Sequence, residues 1–227
     1  MDITKNLFGK KQEGNKNPAH EQQQEAKKNL GQKNVFGADE WKKFFGNAFQ
    51  VKVVPEIPWS MDVLKNPGIN QEHFLFLGLN VLGGEPLNIP AWNKLRKDKD
   101  HPKLLWTTWN KHAFTQRTCE LRWYFLSMSF GNHWGPYNNL VSLLPDGYEV
   151  PGSIELVTAT ILYHLLNKKY PDTGGAMANT SDKTDKGHRV IFRISEDEGA
   201  KIVDNFHLDD SNDMVEKLGI AASRKLP

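Results

Sequence analysis

The feature that most constrains the fold is a helical pattern across residues 151–169. Pro151 suits a first helical position, and Ser153 with Glu155 favours the first turn. Apolar residues recur at a spacing that places them along one side of the helix. These residues are Ile154, Val157, Ile161, Leu162 and Leu165. A helix with one apolar side needs a covering layer, so the pattern predicts a helix packed across a sheet.

Runs typical of β-strands supply that sheet. The clearest run, residues 73–82, is almost continuously apolar, which predicts a strand covered on both faces. Further strands are predicted at residues 87–89, 119–129, 189–194, 201–206 and 218–223, whereas the polar residues 172–187 read as a surface loop. Together the runs predict an α+β fold, with a mixed or mostly antiparallel sheet and the long amphipathic helix packed across it.

The N-terminal segment differs in composition from the rest of the chain. Residues 1–34 hold seven lysines against four acidic residues, a net charge of +3, whereas the whole chain carries +2. The segment is polar and has few large apolar residues, which predicts a disordered basic tail. The folded part is then a single domain, residues 35–227. Its net charge of about −1 argues against a nucleic-acid partner, except for weak phosphate binding by the tail.

The sequence also bears on the compartment. The single Cys119 excludes an intramolecular disulfide and suits a reducing compartment. No apolar run approaches the roughly 18 residues that a membrane span requires, and residues 1–31 lack the apolar core of a signal peptide. We therefore expect a cytoplasmic protein without membrane association, and secretion by a non-classical route stays open.

Catalytic chemistry has few candidates. Cys119 is a candidate nucleophile, with His112 or His133 as its base, because such chemistry needs a thiolate paired with a base. Cys119 stands at the mouth of an apolar strand, however, where a buried, inert thiol is the usual outcome. The histidines show no metal-ligand spacing. We expect no metal and no cofactor.

Aromatic residues in loops favour binding instead. Trp106 and Trp109 lie in one such segment, and His133, Trp134 and Tyr137 lie in another. Gly135 and Pro136 would hold Trp134 outward on a constrained turn, where a large rigid side chain gives much contact area. The competing interpretation is that Trp134 caps the core. Arg122 and Arg224 are candidate polar companions of the loop, and the alternative is that either arginine is paired on the surface.

The chain resembles an uncharacterised bacterial protein family. The resemblance rests on residues 36–46 (FGADEWKKFFG), on the segment 148–162, which contains VPGSIELVTATIL and the start of the predicted helix, and on the terminal LGIAASRK at 218–225. It covers most of residues 36–227 in order. The family has no established activity, so the resemblance implies no catalytic residue.

These observations lead to two functional hypotheses. The first is a non-enzymatic binding or interaction module whose partner is a protein or a small ligand. The alternative is a hydrolase-type enzyme that uses Cys119 or a histidine. The abundance of loop aromatics, beside the absence of a recognisable polar constellation, favours the module.

Overall fold

The computed structural model describes residues 18–67, 72–95, 104–106, 112–130, 137–173, 176–195, 199–204 and 218–227. The α-helices in these residues are α1 (Pro18–Leu30), α2 (Ala38–Phe45), α3 (Met61–Lys65), α4 (Ile89–Leu95), α5 (Tyr137–Ser142) and α6 (Ser153–Asn167). The strands are β1 (Val35–Phe36), β2 (His73–Leu77), β3 (Val81–Leu82), β4 (Glu85–Pro86), β5 (Leu104–Trp106), β6 (Trp123–Ser127), β7 (Tyr148–Glu149), β8 (Met177–Lys183), β9 (Arg189–Ser195), β10 (Gly199–Asp204), β11 (Leu218–Ile220) and β12 (Ser223–Arg224).

The described strands form two five-stranded sheets and a small β3–β4 hairpin. The first sheet has the order β1-β2-β6-β12-β7 and is antiparallel except at the β1–β2 pair. The second sheet has the order β11-β8-β9-β10-β5 and is antiparallel except at its two outer pairs. The predicted α+β class, with a mixed and mostly antiparallel arrangement of strands, is confirmed.

Helix α6 is the central helix of the fold. It contacts β1 and β2 of the first sheet and β8, β9 and β10 of the second. Eleven of its 15 residues are buried, including Thr158 and Thr160, which lie outside the predicted apolar stripe. The helix is covered on more sides than the stripe indicates because both sheets pack against it.

The first predicted strand is fully buried, but its end differs from the prediction. All five residues of β2 are buried, and β2 pairs with β6 along its length. The chain then enters the β3–β4 hairpin, and residues 87–89 are not a strand. The side chain of Asn88 explains this difference, because its Oδ1 accepts a hydrogen bond from Ala91 N at 2.9 Å and thereby caps α4.

Strand β8 replaces the middle of the surface loop predicted at residues 172–187. Its Asn179, Thr180 and Asp182 are buried even though they are polar. Thr180 Oγ1 donates to Val190 O at 2.9 Å, and Asp182 Oδ2 accepts from Ser153 N at 2.7 Å. These hydrogen bonds satisfy the polar groups, so a strand without apolar alternation can lie in the interior.

Disorder is predicted for residues 1–34, but residues 18–34 are folded and include α1. Residues 1–17 are not among the described residues. Helix α1 packs on the body of the protein, where Lys27 Nζ lies 2.6 Å from Glu40 Oε1. Gln23 is buried against Gly37, at which a Cβ atom would lie 2.2 Å from Gln23 Oε1. The helix docks through small and amide side chains, which an apolar pattern does not reveal. The folded domain therefore includes Pro18.

The terminal box, which is the LGIAASRK segment at residues 218–225, contributes one strand to each sheet. A single strand is predicted at residues 218–223 instead. β11 adds to β8 in the second sheet, and β12 lies between β6 and β7 in the first. The buried Ala221 and Ala222 join them. The last ten residues of the chain therefore link both sheets.

Candidate binding groove

Most of the predicted aromatic binding residues lie outside the described residues. His133 and Trp134 belong to residues 131–136, and Trp109 belongs to residues 107–111. Trp106 ends β5, of which only the backbone is described. Tyr137 is among the described residues, where it begins α5 and is half-buried.

Tyr137 lines an open groove of about 350 Å³ between α5 and the segment that leads into α6. Its apolar wall consists of Val141, Leu144, Pro145 and Val150. Its polar wall includes Asp146, Glu149, Ser181 and Lys225. A cavity of this volume, with apolar surface and a few polar groups, is typical of a binding site.

Arg189 fixes the orientation of the Tyr137 ring. The guanidinium carbon of Arg189 lies 3.7 Å from the centroid of the ring. Nη1 of Arg189 also donates to Ser181 O at 3.1 Å, which anchors the guanidinium on β8. A cation held over an aromatic face stabilises both groups. The aromatic loop therefore ends on a residue that is already positioned.

Tyr148 also lines the groove, and hydrogen bonds and a cation–π contact hold its side chain in place. Its hydroxyl donates to Pro67 O and lies 3.0 Å from Nε2 of the buried His73. Arg224 lies over the Tyr148 ring at 5.1 Å, and its Nη1 donates to Pro67 O at 3.0 Å. Burial raises the pKa of the Tyr148 hydroxyl, with Arg224 opposing this shift. Of the two predicted arginine companions, Arg224 is therefore next to the groove.

Exposed apolar side chains accompany the groove. Among the described residues, seven large apolar side chains are exposed, and three of them belong to the groove or adjoin its lining residues in the chain. They are Val141, Leu143 and Leu226, which are 37%, 56% and 43% exposed. Of these three, Val141 lines the groove itself, and Leu143 and Leu226 are chain neighbours of its lining residues Leu144 and Lys225.

Cys119 is a core residue. Its side chain is 1% exposed, and Sγ lies 3.6 Å from Thr158 Oγ1 on α6. Burial raises the pKa of the thiol to about 12, while the hydrogen bond with Thr158 opposes the shift. The thiol is therefore protonated at neutral pH, and a protonated thiol is a poor nucleophile.

His112, the described candidate base, has its own partners. Its Nδ1 lies 3.2 Å from Asp185 Oδ2, and its ring stacks on Phe114 at a centroid distance of 5.9 Å. The hydrogen bonds of the Cys119 thiol go to Thr158 and Ile154 instead. Cys119 and His112 therefore have different partners. His133 is not among the described residues.

A cluster of charged groups at the start of α6 is the main chemical feature that the sequence did not indicate. Glu155 Oε2 accepts from Gly152 N at 3.0 Å, and Oε1 lies 3.9 Å from Arg122 Nη2. Burial raises the pKa of the Glu155 carboxyl to about 7, although the Gly152 N–H and Arg122 oppose the shift. Arg122 therefore belongs to this cluster and not to the groove. Glu155 stabilises the first turn of α6, as predicted, by accepting the hydrogen bond from Gly152 N.

Within the described part of the chain, neither a metal-binding cluster nor a membrane-spanning helix is present. No three His, Cys, Asp or Glu side chains there form a group that would hold a metal ion. None of the helices in these residues combines the length and apolar character that crossing a membrane requires.

Comparisons with known proteins leave the chain without a match. No protein-family model, curated protein or solved structure matches it. The resemblance to an uncharacterised bacterial family therefore stays a prediction.

Proposed function

We propose that the chain is a non-enzymatic interaction module, and that a segment of a partner protein docks in the Tyr137 groove. The observation that carries the proposal is the position of Tyr137, which lines a groove of about 350 Å³ together with the exposed Val141. The aromatic loop leads directly into this site, so His133 and Trp134 belong to the proposed interface. Trp106 and Trp109 are proposed to extend it, and we place the protein in the cytoplasm.

The mixed chemistry of the groove favours a protein segment over a purely apolar ligand. Val141, Leu144 and Pro145 offer apolar contacts, while Asp146 and Glu149 offer carboxylates on the same lining. Interface cores of this kind combine aromatic anchors with a polar rim. A partner segment with an apolar side chain and a neighbouring basic residue would complement both walls.

The alternative hydrolase receives less support from the described residues. The Cys119 thiol is buried, and its raised pKa keeps it protonated at neutral pH. Histidine catalysis independent of this thiol stays a prediction, and Cys119→Ala would separate it from thiol catalysis once any activity is detected.

The proposal is tested by selecting peptides from a random library against the whole chain. The dissociation constant of a selected peptide is then measured for the wild type, Tyr137→Ala and Tyr137→Phe. Truncation of an aromatic anchor typically costs about 2 kcal/mol or more. We therefore expect Tyr137→Ala to weaken binding at least about tenfold and Tyr137→Phe to weaken it little.

A matched pair of surface variants completes the test. Val141→Asp places a charge on the groove wall, whereas Val53→Asp places one at a residue that is 80% exposed and outside the groove lining. Only Val141→Asp should reduce the affinity, with both variants retaining the thermal stability of the wild type. Selected peptides that bind all groove variants as tightly as the wild type would refute the proposed site.

A further inference from the structure

A second open cavity lies next to the β3–β4 hairpin. It has a volume of about 850 Å³ and shares no lining residue with the Tyr137 groove. Its walls come from the hairpin, from α4 and from Gln116 at the end of a short 3-10 helix, Ala113–Gln116. The volume falls within the range of sites that bind small molecules.

The walls of this hairpin cavity are fixed by hydrogen bonds between separate segments. Gly83 N donates to Ala48 O at 2.9 Å, which ties the hairpin to the chain after α2. Asn88 Nδ2 donates to Gln116 Oε1 at 3.2 Å, which ties the start of α4 to the 3-10 helix. A cavity whose walls are already held in place loses little conformational entropy when a ligand binds.

The cavity has an apolar interior and a charged rim. Leu82 and Leu87, which line it, are buried, and Pro90 adds further apolar surface. Glu85 and Lys94 line it too, and both are exposed. Neither forms an ion pair with another described residue. Two opposite charges therefore lie on the lining of one cavity that also has apolar walls.

We infer that the hairpin cavity binds free short peptides with apolar side chains. The side chains occupy the apolar interior, the peptide ammonium group faces Glu85, and the peptide carboxylate faces Lys94. Charge complementarity selects this ligand class, because a free peptide of a few residues carries both terminal charges on one small apolar body. An internal segment of a protein carries neither terminal charge. The inference is independent of the proposed Tyr137 interface.

The test uses the tripeptide Leu-Ala-Leu with free termini, titrated into the full chain and followed by calorimetry. Two control peptides isolate the two parts of the argument. Ser-Gly-Ser keeps both termini but lacks large apolar side chains, and N-acetyl-Leu-Ala-Leu-amide keeps the side chains but lacks both charges. We expect Leu-Ala-Leu to bind and both controls to bind at least about threefold more weakly. The blocked peptide loses the exposed ion pairs, and Ser-Gly-Ser loses the apolar contacts.

Variants assign the binding to this cavity. Lys94→Ala should weaken Leu-Ala-Leu by about threefold to fivefold and leave Leu-Ala-Leu-amide unaffected, since the amide lacks the carboxylate that Lys94 faces. Lys65→Ala, at an exposed lysine of α3, is the matched control and should change neither affinity. Ala91→Trp should fill the cavity and abolish binding, with circular dichroism confirming that the variant is folded.

Three results would overturn the inference. They are the absence of binding by Leu-Ala-Leu at millimolar concentration, equal binding by the doubly blocked peptide, and an equal effect of Lys94→Ala on the free peptide and its amide. If Ala91→Trp does not fold, the comparison of Lys94→Ala across the two peptides still decides the question.

Discussion

At the scale of single residues, Glu155 links the charge chemistry of the protein to its stability. Its carboxyl group is largely withdrawn from water at the first turn of α6, and Arg122 at 3.9 Å only partly compensates. A carboxyl whose pKa is higher in the folded state than in the unfolded state binds its proton more tightly when folded. Its contribution to stability is therefore largest at low pH.

Glu155 provides a pH-dependent prediction. Its pKa rises from 4.5 to about 7 on folding, so its stabilising contribution is fully present below pH 4.5 and is lost as the pH rises through 7. Gln resembles the protonated carboxyl. We expect Glu155→Gln to match the wild type in melting temperature near pH 5 and to exceed it near pH 8. Glu120→Gln, at a 78% exposed carboxyl beside the same Arg122, is the control. A difference between Glu155→Gln and wild type that does not vary with pH would contradict this account.

Cys119 yields a second prediction at this scale, because it is the single cysteine of the chain. Burial and a pKa of about 12 leave almost no accessible thiolate in the native protein. Ellman's reagent at pH 8 should therefore release no thionitrobenzoate from the native chain and one equivalent after unfolding in guanidinium chloride. Rapid reaction in the native state would restore Cys119 as a candidate nucleophile.

At the scale of elements, β8 and α6 depend on one another. Asp182 on β8 is 1% exposed in its side chain and accepts a hydrogen bond from the first residue of α6. Its other oxygen lies 2.7 Å from Arg117 Nη1. A polar strand thus supplies the hydrogen-bond acceptor that the start of an otherwise apolar helix needs.

Removing this acceptor should destabilise the protein. Asp182→Ala leaves the buried Ser153 N–H without its partner, which costs about 1–3 kcal/mol. Arg117→Ala should cost less, because it keeps the hydrogen bond from Ser153 N to Asp182, and water can enter at the 67% exposed Arg117 position to solvate the carboxylate that loses its cation. Urea unfolding followed by tryptophan fluorescence gives both values. A greater loss for Arg117→Ala than for Asp182→Ala would show that the ion pair outweighs the hydrogen bond to α6.

The elements that could be predicted from the sequence are those with strong apolar patterns. β2, β6 and α6 carry such patterns and lie within the predicted ranges. β8 could not be predicted in this way because its buried side chains are polar and are satisfied by residues distant in sequence. The packing of helix α1 on the folded body could not be predicted for a related reason, since its buried residues are Ala19, Gln23 and Ala26.

The groove was predictable only in part. Tyr137 closely follows His133 and Trp134 in the sequence, and these aromatic residues are the pattern that predicts a binding site there. Arg189, Ser181 and Lys225 approach Tyr137 or its groove from other strands and from the chain end. No local pattern connects residues that only the strand order brings together.

At the scale of the whole molecule, the terminal box closes the fold. β12 lies inside the first sheet, β11 extends the second, and Trp59 Nε1 donates to Lys225 O at 2.8 Å. Lys225 also lines the Tyr137 groove. The end of the chain is therefore needed both for the sheets and for the candidate site.

A truncation series tests this role. Deletion of residues 218–227 removes a strand from each sheet and exposes the partners of β12, so we expect loss of cooperative thermal unfolding. Deletion of residues 226–227 alone retains both strands and serves as the control, with a melting temperature close to that of the full chain. A 218–227 deletion that still unfolds cooperatively would show that the sheets close without the box.

Amide chemical shifts decide whether the Tyr137 groove is the interaction site. A peptide selected against the whole chain is titrated into the ¹⁵N-labelled protein. We expect the largest shift changes at α5 and at residues 146–150, with smaller changes at β8 and Lys225. Shift changes confined to other parts of the chain, with the α5 amides unmoved at saturation, would refute the proposed site.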